Sequence, residues 1–312
     1  MQQRSTHFTQ NALVFSGHET FILRANWLKK AYDLLLTTPD LFLRDDAFIL
    51  LGVGKNMANA IRFWGRACGV FERTEHAAAH RATWLGNALL ADQGWDPFLV
   101  TPAGRWLLHW QIAAHPERAF SWYFTFNLLR RGEFSSTQLG RQIIEHVQSL
   151  GLRPPSVATI SRDLDCLLRC YLRPQFDQAG APLEDALHCP LHELELIQRL
   201  PEQASYRMLS GTQADLPAAL VALAALQQSR RLGRAALAFN DLAYGECSPG
   251  RMFRLDEEAL LSHLYCLEEL TAGQVAYSEH GGIRQLLWRE PNRPLLDRDL
   301  IALAFTSDRT YA

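Results

Sequence analysis

Residues 43–72, LRDDAFILLGVGKNMANAIRFWGRACGVFE, read as a helix-turn-helix that runs on into a strand. Asp45 and Asp46 stand where acids favour a helix N-terminus. Ala47–Leu51 is the expected first helix, and Gly52-Val53-Gly54 the turn. A second helix is expected from about Lys55 to Cys68. Its apolar positions are Met57, Ala60, Ile61, Trp64, Ala67 and Cys68, a spacing of three and four that makes one buried stripe. Lys55, Asn59, Arg62 and Arg66 fall at i, i+4, i+7 and i+11 and share the opposite face, with Asn56 beside them. Gly69 suits the position just past a helix end, and Val70-Phe71-Glu72 can begin a strand.

That polar face carries the chemistry. Arginine, lysine and asparagine on the second helix of such a unit are the side chains that reach phosphates and base edges in a major groove. The competing reading is a solvated face on an ordinary helical pair. Arg73 and Arg81 flank the Ala-rich stretch His76–His80, the expected wing, and are placed to meet phosphate.

The 312 residues are 48% hydrophobic, enough for two or three small domains with real cores. No apolar run approaches 18 residues, so no transmembrane helix is expected. The first fifteen residues, MQQRSTHFTQNALVF, lack the pattern of a signal peptide. The six cysteines show no disulfide-framework spacing, which suits a reducing cytoplasm. The net charge of −2 is divided unevenly: residues 1–134 hold 14 Lys and Arg against 11 Asp and Glu, and residues 135–312 hold 17 against 22. If the chain meets DNA, it does so with its N-terminal part, and the acidic remainder suits protein partners.

Upstream, Ser16 and Glu19 have the spacing of a capping box, so a helix is expected from there to about Leu36. The His18-Glu19 pair lacks the second histidine of a zinc-protease helix, and capping accounts for Glu19. Trp106, Trp110, Trp122, Tyr123, Phe124 and Phe126 recur at helical spacing. Aromatics of this kind can stack unpaired bases, but the periodicity favours a core. Ser135 or Ser136 opens a helix to about Leu150, and Ser156 one to Tyr171 with Val157, Ile160, Leu164, Leu167 and Leu168 inward. Cys166, Cys170, Cys189 and His192 have the residue types of a zinc site but no familiar spacing, so no metal and no cofactor is expected.

Pro201–Ser210 reads as a boundary. Beyond it come helices over Ala214–Gln228, Phe239–Tyr244 and Asp256–Leu270, then two strands around Glu279-His280-Gly281-Gly282, a wing hairpin. Asp256, Glu257, Glu258, Glu268 and Glu269 on the last of these helices argue for a protein interface over a DNA groove. Arg251, Arg254, Arg284 and Arg289 are secondary phosphate-contact candidates from the loop and wing.

The expected architecture is mainly α with small β wings (α+β), as tandem winged helix-turn-helix units. They divide as an N-terminal winged-helix domain with an aromatic helical extension (1–130), a middle helix-turn-helix domain (131–200) and a C-terminal winged-helix domain (201–312). There is no P-loop, dinucleotide fingerprint, nucleophile elbow or restriction-type E-x-K pattern, so no catalytic residue is read and no enzyme is expected.

Three stretches carry a family resemblance: FSGHETFILRANWLKKAYDLL with LGVGKNMANAIRFWGRACGV, TISRDLDCLLRCYL with HCPLHELELI, and FNDLAYGECSPGRMFRLDEEAL with GGIRQLLW. Together they resemble the prokaryotic family known as domain of unknown function 4007. Its members tend to be encoded beside PAPS-reductase-like proteins, cysteine desulfurases and DNA phosphorothioation or phage-defence genes. The resemblance implies an accessory protein of DNA sulfur modification or anti-phage defence that brings a PAPS-reductase-like enzyme to double-stranded DNA. Two other readings stay open. One is a scaffold that regulates such a partner without touching DNA. The other is a transcriptional regulator of a defence operon, binding paired half-sites as a homodimer.

Overall fold

The computed structural model describes residues 13–74, 79–173, 189–201, 204–294 and 296–307. The protein is mainly helical, about 53%, with small antiparallel sheets. Among the described residues no helix is long and apolar enough to cross a membrane.

The elements fall into three groups, here called units, around an aromatic hub. The first holds α1 (Ala25–Thr37), α2 (Ala47–Leu50), α3 (Lys55–Ala67), the strand pair β1 (Phe71–Arg73) and β2 (His80–Ala82), and α4 (Trp84–Leu90). The second holds β3 (Glu133–Ser135), α7 (Ser136–Ser149), α8 (Val157–Tyr171), β4 (Ile197–Arg199) and β5 (Ser205–Met208). The third holds α9 (Ala218–Leu232), β6 (Ala236–Ala238), α10 (Phe239–Tyr244), α11 (Pro249–Met252), α12 (Glu257–Leu270), β7 (Val275–His280), β8 (Ile283–Trp288) and α13 (Leu296–Ser307). Both three-stranded sheets have the same order, with the last strand in the middle: β3-β5-β4 and β6-β8-β7. In each, the first strand leads into the helices and the last two form a hairpin.

The hub is α5 (Pro102–Ala113), α6 (Phe120–Tyr123) and a π-helical turn over Phe124–Leu128. Its aromatics are core, as their spacing implies: Trp106, Trp110, Trp122, Tyr123, Phe124 and Phe126 are all buried. Its polar groups tie the units together. His109 on α5 joins the second and third units, with Nδ1 2.8 Å from the Tyr171 hydroxyl and Nε2 2.8 Å from the Met252 carbonyl. A carbonyl only accepts, so Nε2 carries the proton and Nδ1 accepts from the tyrosine. Asn127 donates to the Ala113 and Tyr123 carbonyls and accepts the Cys247 N–H at 2.9 Å.

Local caps explain many boundaries. Ser135 and Gln138 form a reciprocal capping box at α7, and Thr83, Thr101, Ser156 and Asp256 cap α4, α5, α8 and α12. Other expectations are overturned. Ser16 and Glu19 form no capping box, because Ser16, Gly17, Glu19 and Thr20 all have positive φ and α1 begins only at Ala25. Asp46 does not cap α2 with its side chain; it pairs with Arg44 at 2.8 Å. Val157 is 73% exposed, since it occupies the first turn of α8 before that helix reaches the core. The 201–210 stretch, expected as a boundary, supplies β5, which pairs with β3 and β4. β6 and α13 were not foreseen.

The FSGHETF segment joins the first unit to the second. Buried Asp163 on α8 accepts from the Ser16 N–H at 2.7 Å, from His18 Nε2 at 2.8 Å and from the Ser121 hydroxyl at 2.7 Å. His18 Nδ1 accepts the Thr20 N–H at 3.0 Å, which fixes the tautomer. His18 is therefore a satisfied core residue that bridges elements far apart in sequence.

The cysteines of the imagined zinc site are buried, but Cys166 faces the Phe21 carbonyl at 3.4 Å and Cys189 the Cys170 carbonyl at 3.4 Å. His192 Nε2 donates to the Arg169 carbonyl at 2.7 Å, so that nitrogen has no lone pair for a metal.

Close approach of α4 to β1 gives a direct test of the first unit. A Cβ on Gly86 would lie 2.2 Å from the Val70 carbonyl oxygen, a backbone atom that cannot rotate away. Gly86→Ala is expected to cost about 1–3 kcal/mol through forced displacement of α4, read as a lower urea midpoint. An unchanged midpoint would mean the helix and strand are not packed this closely.

Candidate nucleic-acid interface

The turn before α3 depends on Gly52, whose φ of 57° lies in the left-handed region. Helix α3 then runs Lys55–Ala67, as its periodicity implies, with Gly69 (φ 69°) past its end. Ala58, Ala60, Ile61, Trp64, Gly65 and Ala67 are its buried residues; Met57 is only half-buried. Trp64 anchors the helix by donating to the Phe21 carbonyl at 3.0 Å. Gly65 lets Phe71 press against it: a Cβ there would lie 1.9 Å from the ring.

With the apolar stripe fixed inward, the polar face points out. Lys55, Asn56 and Arg66 are exposed, and Asn59 and Arg62 are half-buried. Arg73, on β1, is exposed as well. Among the described residues, Lys55, Arg62, Arg66 and Arg73 have no carboxylate partner, whereas ten arginines elsewhere do. Arg81 differs from them, because its guanidinium is paired with Glu72 across the β1–β2 ladder at 2.7 Å.

These arginines bear electrostatically on His80. It is buried at the start of β2, packs edge-on against Phe42 at 5.3 Å, and has no hydrogen-bond partner on either ring nitrogen among the described residues. Burial, then repulsion from Arg66, Arg62 and Arg73, pushes its pKa down to about 4. Three guanidiniums from two elements, α3 and β1, thus act on His80 as repulsive charges. The wing tip, residues 75–78 within the expected His76–His80 stretch, lies outside the described residues.

The secondary candidates do not form one group. Arg251 donates to the Leu129 carbonyl at 2.6 Å and Arg254 to the Leu209 carbonyl at 3.4 Å, so they tie the third unit to the end of the hub and to the second unit. Arg284 is paired with Glu279 at 3.0 Å and lies over the Phe239 ring at 4.0 Å. Arg289 is exposed. On α12, Glu257, Glu258, Glu268 and Glu269 are exposed, together with Tyr265.

One feature beside α3 had no sequence signal. A cavity of about 290 Å³ lies where the end of α3, β1 and the 117–118 turn meet. Phe63, Arg66, Gly69, Arg73, Glu117 and Arg118 are among its walls. Arg118 is 52 residues from Arg66 in sequence, so neither motif nor periodicity brings it here.

Comparison with known proteins bears on the whole chain. It is similar to a crystal structure of SspB and to a magnesium-ion-bound crystal structure of SspB. Each is 29% identical, with a TM-score of 0.80 over 97% of this chain and 99% of that one. No curated protein matches. Among the described residues no group of three or more His, Cys, Asp or Glu side chains is arranged to hold a metal ion. The family described as "Protein of unknown function (DUF4007)" matches residues 15–301, and the chain belongs to it.

Proposed function

We propose that the three units are winged helix-turn-helix modules and that the first binds duplex DNA with α3 in the major groove. The observation that carries this reading is the outward polar face of α3, with Lys55, Asn56, Asn59, Arg62 and Arg66 on it and Arg73 exposed on β1, none of the four cations paired with a carboxylate among the described residues. Guanidiniums that are not held in salt bridges favour phosphate, and asparagines on the same face suit base edges. Arg81, already paired, contributes less.

The protein acts, in this reading, as a cytoplasmic accessory that brings a partner enzyme to DNA in sulfur modification or anti-phage defence. The partner class, a PAPS-reductase-like enzyme, comes from the family resemblance. The exposed acidic face of α12 is the surface offered to it, since carboxylates there repel phosphate and leave the groove to α3. That same acidic face supports the scaffold reading as the alternative.

Fluorescence anisotropy with a labelled duplex over a salt series tests the proposal. Binding is expected with a steep salt dependence. Arg62→Ala with Arg66→Ala should reduce the slope of log K against log salt by about 1.8, which amounts to on the order of 100-fold weaker binding at 50 mM salt. An unchanged slope removes α3 from the interface. No binding of the unaltered protein even at low salt favours the scaffold.

A further inference from the structure

We infer that the cavity at the end of α3 receives a single nucleotide unit, unstacked from the DNA that α3 binds. This rests on the proposed function and goes beyond it, because α3 in a groove requires no cavity.

The volume argues first. A phosphate group alone fills on the order of 100 Å³, about three waters' share of liquid. The recess is about 290 Å³, at the lower end of small-ligand sites. It therefore has room for a ring as well as a phosphate. Its chemistry is also double. Exposed Arg66 and Arg73 and half-buried Arg118 line it, with Glu72 and Glu117 as its acids. Phe63, half-buried, supplies an aromatic wall and is itself held by Trp64 at 5.1 Å and His18 at 5.6 Å. Glu117, exposed, can accept from the exocyclic amino group of a base.

The site is held open by the fold. Arg118 is fastened to Gln111 through both its backbone carbonyl and its side-chain oxygen. Gly69 makes this possible: a Cβ there would lie 2.7 Å from both Arg118 Nη1 and Gln111 Oε1. Gly17 does the same for Phe63, since a Cβ there would lie 2.8 Å from the ring. A rigid guanidinium and a rigid aromatic wall facing one space form a preorganised pair, with the cost of ordering met in folding rather than in binding. Proteins that take a base out of the stack spend unpairing energy, least for a mispaired base.

The test uses the full chain and two duplexes, one matched and one with a central mispaired 2-aminopurine. Anisotropy gives affinity, and 2-aminopurine emission reports unstacking. Expected are a several-fold brightening on binding and a preference for the mispaired duplex on the order of ten-fold. Arg118→Gln should bring that preference toward one. Arg73→Gln, at an exposed lining residue, provides a second variant should the first fail to fold. Binding of both duplexes with equal affinity and no brightening overturns the inference and leaves the proposed function standing. If neither duplex binds, free dAMP is titrated. Saturable binding weakened by Arg118→Gln upholds a nucleotide site without DNA docking, and no binding ends both readings.

Discussion

Asp163→Ala is expected to destabilise the protein by about 3–5 kcal/mol, the range for removing one partner of a buried ionic or strongly hydrogen-bonded pair. Its two oxygens accept three hydrogen bonds, from the Ser16 backbone, the His18 ring and the Ser121 hydroxyl. Alanine leaves all three donors buried, and water has no ready access to replace the carboxylate. The effect should exceed that of an ordinary core truncation because the donors belong to the FSGHETF loop, α6 and, through α8, the second unit. The loop is also held by Trp64 and Cys166 donating to the Phe21 carbonyl and by Arg169 donating to the Thr20 carbonyl. Thermal unfolding should show a fall in Tm of roughly 5–10 °C. Asp163→Asn, which keeps one acceptor oxygen for Ser16 and His18, should lose clearly less. Equal losses from the two variants would show that shape, not hydrogen bonding, is what the site requires.

Acid should destabilise the protein before its carboxylates titrate. His109 is fully buried, and burial pushes its pKa down to about 4 from an ordinary 6.5, against a smaller opposing effect from the Met252 carbonyl. His80 moves the same way, to about 4, and His115 to about 3, burial leading in each case. A histidine with a depressed folded-state pKa binds fewer protons folded than unfolded between the two values. Stability therefore rises with pH across that window, is fully present above about 6.5 and is lost as pH falls toward 4. For His109 the loss reaches roughly 2 kcal/mol by pH 5. Urea midpoints at pH 7.5, 6 and 5 should fall in that order. The same series on His109→Gln should begin lower and fall less steeply. A flat profile between pH 7.5 and 5 would mean the imidazoles are charged in the fold or already neutral in the unfolded chain.

The pH effect and the DNA proposal meet at His80. An anion drawn to Arg62, Arg66 and Arg73 relieves the repulsion on that ring, so binding at acidic pH is expected to raise its pKa and take up a fraction of a proton.

How much was legible in advance follows from the range of the forces involved. The α3 face was readable because a helix repeats every 3.6 residues, so Trp64 and Ile61 inward place Arg62 and Arg66 outward without knowledge of the rest of the chain. Ser135 and Gln138, Ser156, and Asp256 were readable as helix starts because a cap is satisfied within three residues. Ser16 and Glu19 have similar spacing and form no cap, because Asp163 offers the Ser16 N–H a better acceptor from 147 residues away. Spacing gives what a local bond can do, not whether a distant group does it instead.

The sequence by itself determined the helical class, the amphipathic α3, the core role of the hub aromatics and the family. Those depend on local periodicity and short motifs. Only the tertiary structure decided that His18 is a buried bridge, that Arg81 and Arg284 are paired with acids while Arg62, Arg66 and Arg73 are not among the described residues, and that Arg118 lines a cavity beside α3. Each of these turns on which groups from remote parts of the chain share a few ångströms. Charge pairing and buried hydrogen bonds act over those distances, and chain order does not record them.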